Sequence, residues 1–458
     1  MLLTLIRREI VGNVLSFRFL VTLILFFSLI LVSVFVMTAE QGTRQQSYEA
    51  SRSAHRDVLT KIGEIDDVGN QVDELLLTQG VYGDIRPPVL GVFVDGLSGD
   101  LPTQVHTAAF NERRVDDTFY ENPVSALFTS PDMGYIINIV VSLLALLFVF
   151  DAICGEKERG TLKITLSNSV PRDLLILGKW VGGYVSLAAP FVVALLAGVA
   201  YVHLTGALVI SDEILQRLLW MLLTSLLYVS LFFTLGLMIS TLTHRASTSL
   251  IISLFVWICW ILVIPNLAPV IARIAYPVPS PEKITAEKLA IEQETDLRLQ
   301  RVWQSTLAYG PEGQKMQEEI QQEGERRQDK LERYYQEAFR RQTEASMTFS
   351  RLSPAASYRY ATTELSGTGV HLYTGFRKGY QRFQDDFEEY SSDIFQRRND
   401  EKLQDDWFQK DEVPAFEIMR DRLGDALDRI FFDLMLLAVY NLLFFMGSYL
   451  FFLRYDVT

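Results

Sequence analysis

The sequence predicts an α-helical integral membrane protein with six transmembrane helices, on three observations. The apolar residues of this 458-residue chain gather into a few long runs. Six runs are long enough to cross about 30 Å of hydrocarbon, which takes roughly 20 helical residues. Each run is nearly free of charge, without the polar face that a globular surface helix carries.

The runs are residues 19–37, 135–153, 180–204, 218–242, 248–264 and 431–453. The shortest, 248–264, is the one that could also be a buried helix of a large soluble domain. The first is too long for a signal-peptide core, and Met37-Thr38-Ala39-Glu40 makes a poor cleavage site. The formal charge of −13 is concentrated in two polar segments, 39–133 and 266–429.

Orientation follows from Lys and Arg in short loops, which mark the cytoplasmic side. Arg7, Arg8 and Arg18 precede the first span; Lys157, Arg159, Lys163, Arg172 and Lys179 fill the loop between the second and third; Arg245 and Arg454 lie beside later spans. The loop 205–213 has no Lys or Arg and carries Asp212 and Glu213. Both termini are therefore expected in the cytoplasm, with a tail at 454–458, and the two large polar segments outside it.

The first polar segment, 39–133, reads as a small mixed α/β extracytoplasmic domain. A charged, helix-prone stretch (40–77) gives way at Pro87-Pro88 to the apolar run Val89 to Val94, which has the character of a buried strand. Turn chemistry follows at Asp95-Gly96 and Ser98-Gly99-Asp100, and 103–108 suits a second strand. The second segment, 266–429, reads as a larger, mainly helical extracytoplasmic domain. Leu, Tyr and Phe recur there at helical spacing among Glu, Gln, Arg and Lys, with breaks at Tyr309-Gly310-Pro311, Ser353-Pro354 and Ser366-Gly367-Thr368-Gly369. Opposite charges three and four residues apart in 318–341 describe a solvated helix. Cys154 and Cys259 sit in or beside spans, so neither polar segment holds an internal disulfide.

Several chemistries find no residues to carry them. The Gly178-Lys179 pair has Asp173 and Trp180 where a phosphate-binding loop needs glycine and a hydroxyl, so the chain has no nucleotide-binding loop of its own and is not expected to be an enzyme. None of His55, His106, His203, His244 or His371 has the neighbour a zinc-protease pair requires, no other metal site is expected, and no Gly-x-Ser-x-Gly elbow occurs. Asp151 and Asp433 lie near span ends, where interfacial water is within reach, which disfavours a proton path. Asn138 and Asn441 read as interhelical hydrogen-bonding groups. Gly182, Ser186, Pro190 and Ala194 form a small-residue stripe on the third span, read as a packing face within the chain or across a dimer.

The loop 154–179 is the most informative segment. Asp151-Ala152-Ile153-Cys154-Gly155-Glu156-Lys157-Glu158-Arg159-Gly160-Thr161-Leu162-Lys163 leads through Leu166-Ser167 and Pro171-Arg172 to Gly178-Lys179. Glu156 and Glu158 suit a helix start, and Gly160-Thr161 can break and re-cap the chain before an amphipathic turn along the membrane surface. This loop resembles that of the type-2 ABC exporter permeases, with its Glu-x-Glu-x-Gly-Thr-Leu, Leu-Ser, Pro-Arg and Gly-Lys. The amphipathic stretch within 1–18 resembles that family's elbow helix, and the six spans match its count. Segments around Arg86 to Leu97 and Leu352 to Thr368 resemble a subgroup with large extracytoplasmic insertions after the first span and before the last.

The resemblance implies a permease subunit of an exporter in the bacterial inner membrane, driven by a separate cytoplasmic ABC ATPase that binds the ATP and Mg. It implies that Glu156, Glu158, Arg159, Gly160, Thr161 and Leu162 form the ATPase-coupling interface. A second permease copy is expected, a homodimer being favoured over a related permease. The size of the second outer segment admits another role, a mechanotransmitter acting on a periplasmic partner without transport. The surroundings are a lipid bilayer, with no part for nucleic acid.

Overall fold

A computed structural model describes residues 1–61, 72, 80–108, 132–167, 171–305, 310–398, 410–418 and 421–454. Most of the expected helix beyond Lys61, all of 109–131, the loop residues 168–170 and the tail after 454 lie outside the described residues. Two compact units emerge, one built from Met1–Arg114, Ala126–Pro265 and Ser353–Thr458, the other from Asn266–Leu352. The stretch 266–429, grouped together by its helical periodicity, thus divides at Leu352.

In the first unit, α1 (Leu2–Val14) stops at Leu15-Ser16, where the Ser16 hydroxyl accepts a hydrogen bond from the Phe19 amide. From there α2 (Phe17–Lys61) runs unbroken for 45 residues. At 1.5 Å per residue that is about 67 Å, roughly twice the hydrocarbon thickness. The first apolar run and the charged stretch after it therefore form one rod.

Two short strands, β1 (Val81–Asp84) and β2 (Gln104–Thr107), pair antiparallel with Val81 opposite Thr107 and Asp84 opposite Gln104. The expected strand at Val89 to Val94 is absent: Val89–Val92 forms a 3-10 turn instead. Pro88 holds the entry extended, and the amides of Phe93 and Val94 both turn back to the Leu90 carbonyl. The run is apolar because Leu90, Val92, Phe93 and Val94 are all buried, not because they alternate across a sheet.

The second span, α3 (residues 133–149), contains a π-type turn at Ile137–Val141. Two short helices follow, α4 (Cys154–Glu158) and α5 (Thr161–Ser167), and then α6 (Arg172–Leu204), α7 (Asp212–Leu242) and α8 (Ala246–Ala275), the last with a π-type turn at Cys259–Val263. Among the described residues, six helices are long and apolar enough to cross a membrane: α2, α3 with α4, α6, α7, α8 and the C-terminal α13 (Leu423–Leu453). Of its most apolar stretch α7 buries 72%, against 22% for α8 and 17% for α13. α7 is therefore the centre of the bundle, and α8 and α13 turn most of their apolar surface outward, as helices in lipid do.

The second unit contains the helices α9 (Pro281–Trp303) and α10 (Pro311–Ser350), tied by Lys288–Glu332, Arg298–Glu323 and Arg327–Glu294 ion pairs. Gly324 lets α10 approach Thr295, whose hydroxyl would lie 2.6 Å from any Cβ there. Back in the first unit, α11 (Pro354–Ser366) begins at Ser353-Pro354 and stops at Gly367, which is left-handed (φ 73°). α12 (Val370–Arg398) follows. Proline at the first helical position and glycine after the last account for these boundaries.

Candidate functional site

The end of the bundle that holds α1 and the last turn of α13 is organised around α4. The amides of Ile153 and Cys154, which open α4, donate to the Ser240 hydroxyl of α7 at 3.0 and 3.1 Å. Lys157 donates to the carbonyls of Thr241 and Thr243, acting as a cap on the C-terminus of α7. Glu158 accepts from the Ala246 amide at 3.0 Å, where a carboxylate satisfies an orphan donor at the N-terminus of α8. Ser249 of α8 donates to the Phe150 carbonyl at 2.6 Å.

Glu156 reaches the other way. It pairs at 2.8 Å with Lys179 of α6, which also pairs at 2.9 Å with Glu9 of α1, and only 6% of the Lys179 side chain is exposed. Two carboxylates around one nearly buried ammonium tie α1, α4 and α6 together, and losing one member of such a group is far costlier than never having it. Arg18 of α2 holds Asp151 with two hydrogen bonds, at 2.6 and 2.8 Å.

The six residues that the family resemblance implied for an interface thus divide. Leu162 is fully buried and the half-buried Glu156 is committed to Lys179, so these two anchor the element. Glu158 is exposed but already engaged by α8. Arg159 and Thr161 are exposed, and Gly160 takes φ +74° with open space around it, allowing the chain to turn from α4 into α5. Lys163 and Ile164, outside those six, complete the outward face; Ile164 is 66% exposed. Lys157 and Lys179 were read from sequence only as loop residues, and Ser240 and Glu9 not at all, because the pairings with Thr241 for Lys157, with Cys154 for Ser240, and between Glu9 and Lys179 span 84 or more residues.

The small-residue stripe packs within the chain. A Cβ on Gly182 would lie 2.7 Å from the Glu9 Cβ and 3.1 Å from the Ile6 carbonyl, so α1 lies directly on it. Ser186 donates to the Gly182 carbonyl, Pro190 and Ala194 are buried, and the neighbouring Phe191 meets Phe26 of α2 edge to face. Asn138 accepts from Tyr228 at 2.6 Å, and Asn441 bonds Thr234 and the Leu227 carbonyl, both between helices. Asp433 departs from expectation: it is 1% exposed, because its position on α13 faces the bundle and not the interface.

Six apolar helices, with α4 anchored to several of them between the second and third, have the make-up of a multi-span membrane subunit. The family described as ABC-2 family transporter protein matches residues 3–457. The chain belongs to that family. A probable ABC transporter permease protein, NosY, from Stutzerimonas stutzeri is 30% identical over 139 residues, covering 30% of this chain and 49% of the relative. The chain thus spans about half the length of the curated relative it matches. As an ABC-2 family member this is a multi-pass membrane protein of permease type.

Proposed function

We propose that the chain is the membrane permease subunit of an ATP-driven exporter in the bacterial inner membrane, with both termini in the cytoplasm. A separate ATPase, which binds the ATP and Mg, would dock on the exposed edge of α4 and α5, and two permease copies would form the working unit. The observation that supports this reading most is the anchoring of α4 to α1, α6, α7 and α8 while Arg159, Thr161, Lys163 and Ile164 stay outward. A protein pressing on that edge would move four helices as one.

The test is co-purification of the complex with its ATPase. Ile164→Asp and Arg159→Glu are expected to lose the ATPase while leaving the permease folded, since both side chains stand in solvent. Retention of the ATPase by the double variant would remove α4–α5 as the docking edge.

A mechanotransmitter is the second reading, in which ATPase strokes act on a periplasmic partner and nothing crosses the membrane. It is favoured by α2, whose single 45-residue helix would carry a displacement of the bundle well past the bilayer. Transport into sealed vesicles separates the two: coupled ATP hydrolysis without movement of any candidate substrate leaves only the second.

A further inference from the structure

α11 is thirteen residues, about 20 Å of helix, and cannot span about 30 Å of hydrocarbon. Yet every one of its residues except Glu364 is buried, among them Arg359. It packs against α7 and α13 and beside the π-type turns of α3 and α8.

Ala355, Ala361 and Leu365 join the apolar core of the bundle, but polar bonds recur between them along the seat. Tyr358 stacks on Tyr228 of α7 with centroids 4.3 Å apart, and its hydroxyl lies 3.1 Å from that of Ser225. Tyr228 in turn donates to Asn138 inside the first π-type turn, and Ser353 donates to the Trp260 carbonyl inside the second. Arg217 of α7 donates to the Leu365 carbonyl at the far end of α11. In the middle, Arg359 grips Asp132 with both nitrogens, at 2.6 and 2.8 Å, and neither side chain is more than 1% exposed. Asp132 also caps α3 through the Tyr135 amide and accepts from the amides of Asp95 and Gly96. Thr368, just past α11, closes the group by donating to the Val94 carbonyl and accepting from the Leu97 amide.

A seam meant to stay sealed gains nothing from this chemistry, because a buried ion pair is commonly matched or exceeded by apolar side chains of the same volume. Three hydroxyls on these elements, Ser357 of α11, Thr224 of α7 and Ser253 of α8, are buried with no partner among the described residues. π-type turns inside α-helices recur at functional sites. Polar groups that are satisfied in one seating and can be satisfied by water in another suit a part that leaves.

We propose that α11 is a latch, seated here with Arg359 on Asp132, that withdraws from the bundle during the ATPase cycle and passes the movement of α3 and α7 to α12 and residues 86–100. The inference rests on the ATPase coupling proposed above. Withdrawal would expose the inner face of α11 and break the bond between Arg359 and the cap of α3 in one step.

The test uses the full permease–ATPase complex in membrane vesicles, with both native cysteines replaced by alanine and Ala361→Cys or Ala355→Cys placed on α11. Both positions are 0% exposed in the seated state. N-ethylmaleimide labelling is expected to be slow without nucleotide and to rise about tenfold or more during Mg-ATP turnover, since buried-thiol reactivity follows the population of the open state. Arg359→Met is expected to raise the nucleotide-free rate towards the turnover rate. A complex that hydrolyses ATP normally while both cysteines stay equally unreactive in both conditions would overturn the latch and leave the coupling intact. Failure of any ATPase to associate would overturn the coupling and the latch together.

Discussion

Removing either partner of the Arg359–Asp132 pair should be costly, but the two removals are not equivalent. Arg359→Met leaves a buried carboxylate that still accepts from three backbone amides, those of Asp95, Gly96 and Tyr135. Its cost is expected near the lower end of the roughly 3–5 kcal/mol for a broken buried pair. Asp132→Ala leaves a buried guanidinium, removes the cap of α3 at about 1 kcal/mol, and strands two further amides at about 1–3 kcal/mol each. Together these approach the whole stability of an ordinary domain, about 5–15 kcal/mol. The assay is thermal unfolding of the detergent-purified protein followed by size-exclusion chromatography. The expected order of stability is wild type, then Arg359→Met, then Asp132→Ala, the last accumulating little folded protein. Equal losses, or a milder Asp132→Ala, would show that the backbone amides around Asp132 are not part of the same buried group.

Gly182→Ala places a methyl 2.7 Å from the Glu9 side chain and 3.1 Å from backbone, so α1 must lift; overpacking of about 1–3 kcal/mol should appear as faster proteolysis at Leu15-Ser16. Lys157→Met uncaps the Thr241 and Thr243 carbonyls and should raise hydrogen exchange at the 240–246 corner while leaving β1 and β2 unchanged. In α10, hydrogen bonds from Arg340 and Arg341 hold the Glu337 carboxyl down at about 2. A carboxyl with a depressed folded value contributes its stability above the ordinary carboxylate range and loses it as pH falls through the folded value. Carbon NMR of Glu337 should therefore titrate with a midpoint near 2, and helix protection around 337–344 should weaken progressively as pH falls from the ordinary carboxylate range towards that value; a midpoint above 4 would mean the two arginines are not engaged.

The six spans were legible in the sequence because the demand on them is local: a helix in lipid must be apolar for about 20 residues whatever it packs against. Helix boundaries at Pro311, Pro354 and Gly367 were legible for the same kind of reason, since proline and glycine act on their own backbone. The break at Gly160 could be read as well, and the structure gives it the left-handed angle that glycine allows.

What only the tertiary structure decided is where charge goes. Composition made Glu156 and Glu158 look alike, but Lys179 draws Glu156 into a half-buried group while Glu158 stays exposed and caps α8 through the Ala246 amide. Val89 to Val94 read as a strand because burial and strand formation give the same apolar run, and only its neighbours distinguish them. Ser353-Pro354 to Ser366 had the polarity of an exposed helix, with Arg359, Tyr358 and five hydroxyl residues from Ser353 to Thr363, and it lies in the heart of the first unit. Its partners, Asp132, Ser225, Tyr228 and Trp260, are 93 to 227 residues away in the chain. A sequence shows that a residue is polar; whether that polarity meets water or a buried partner depends on long-range pairing, which no local pattern records.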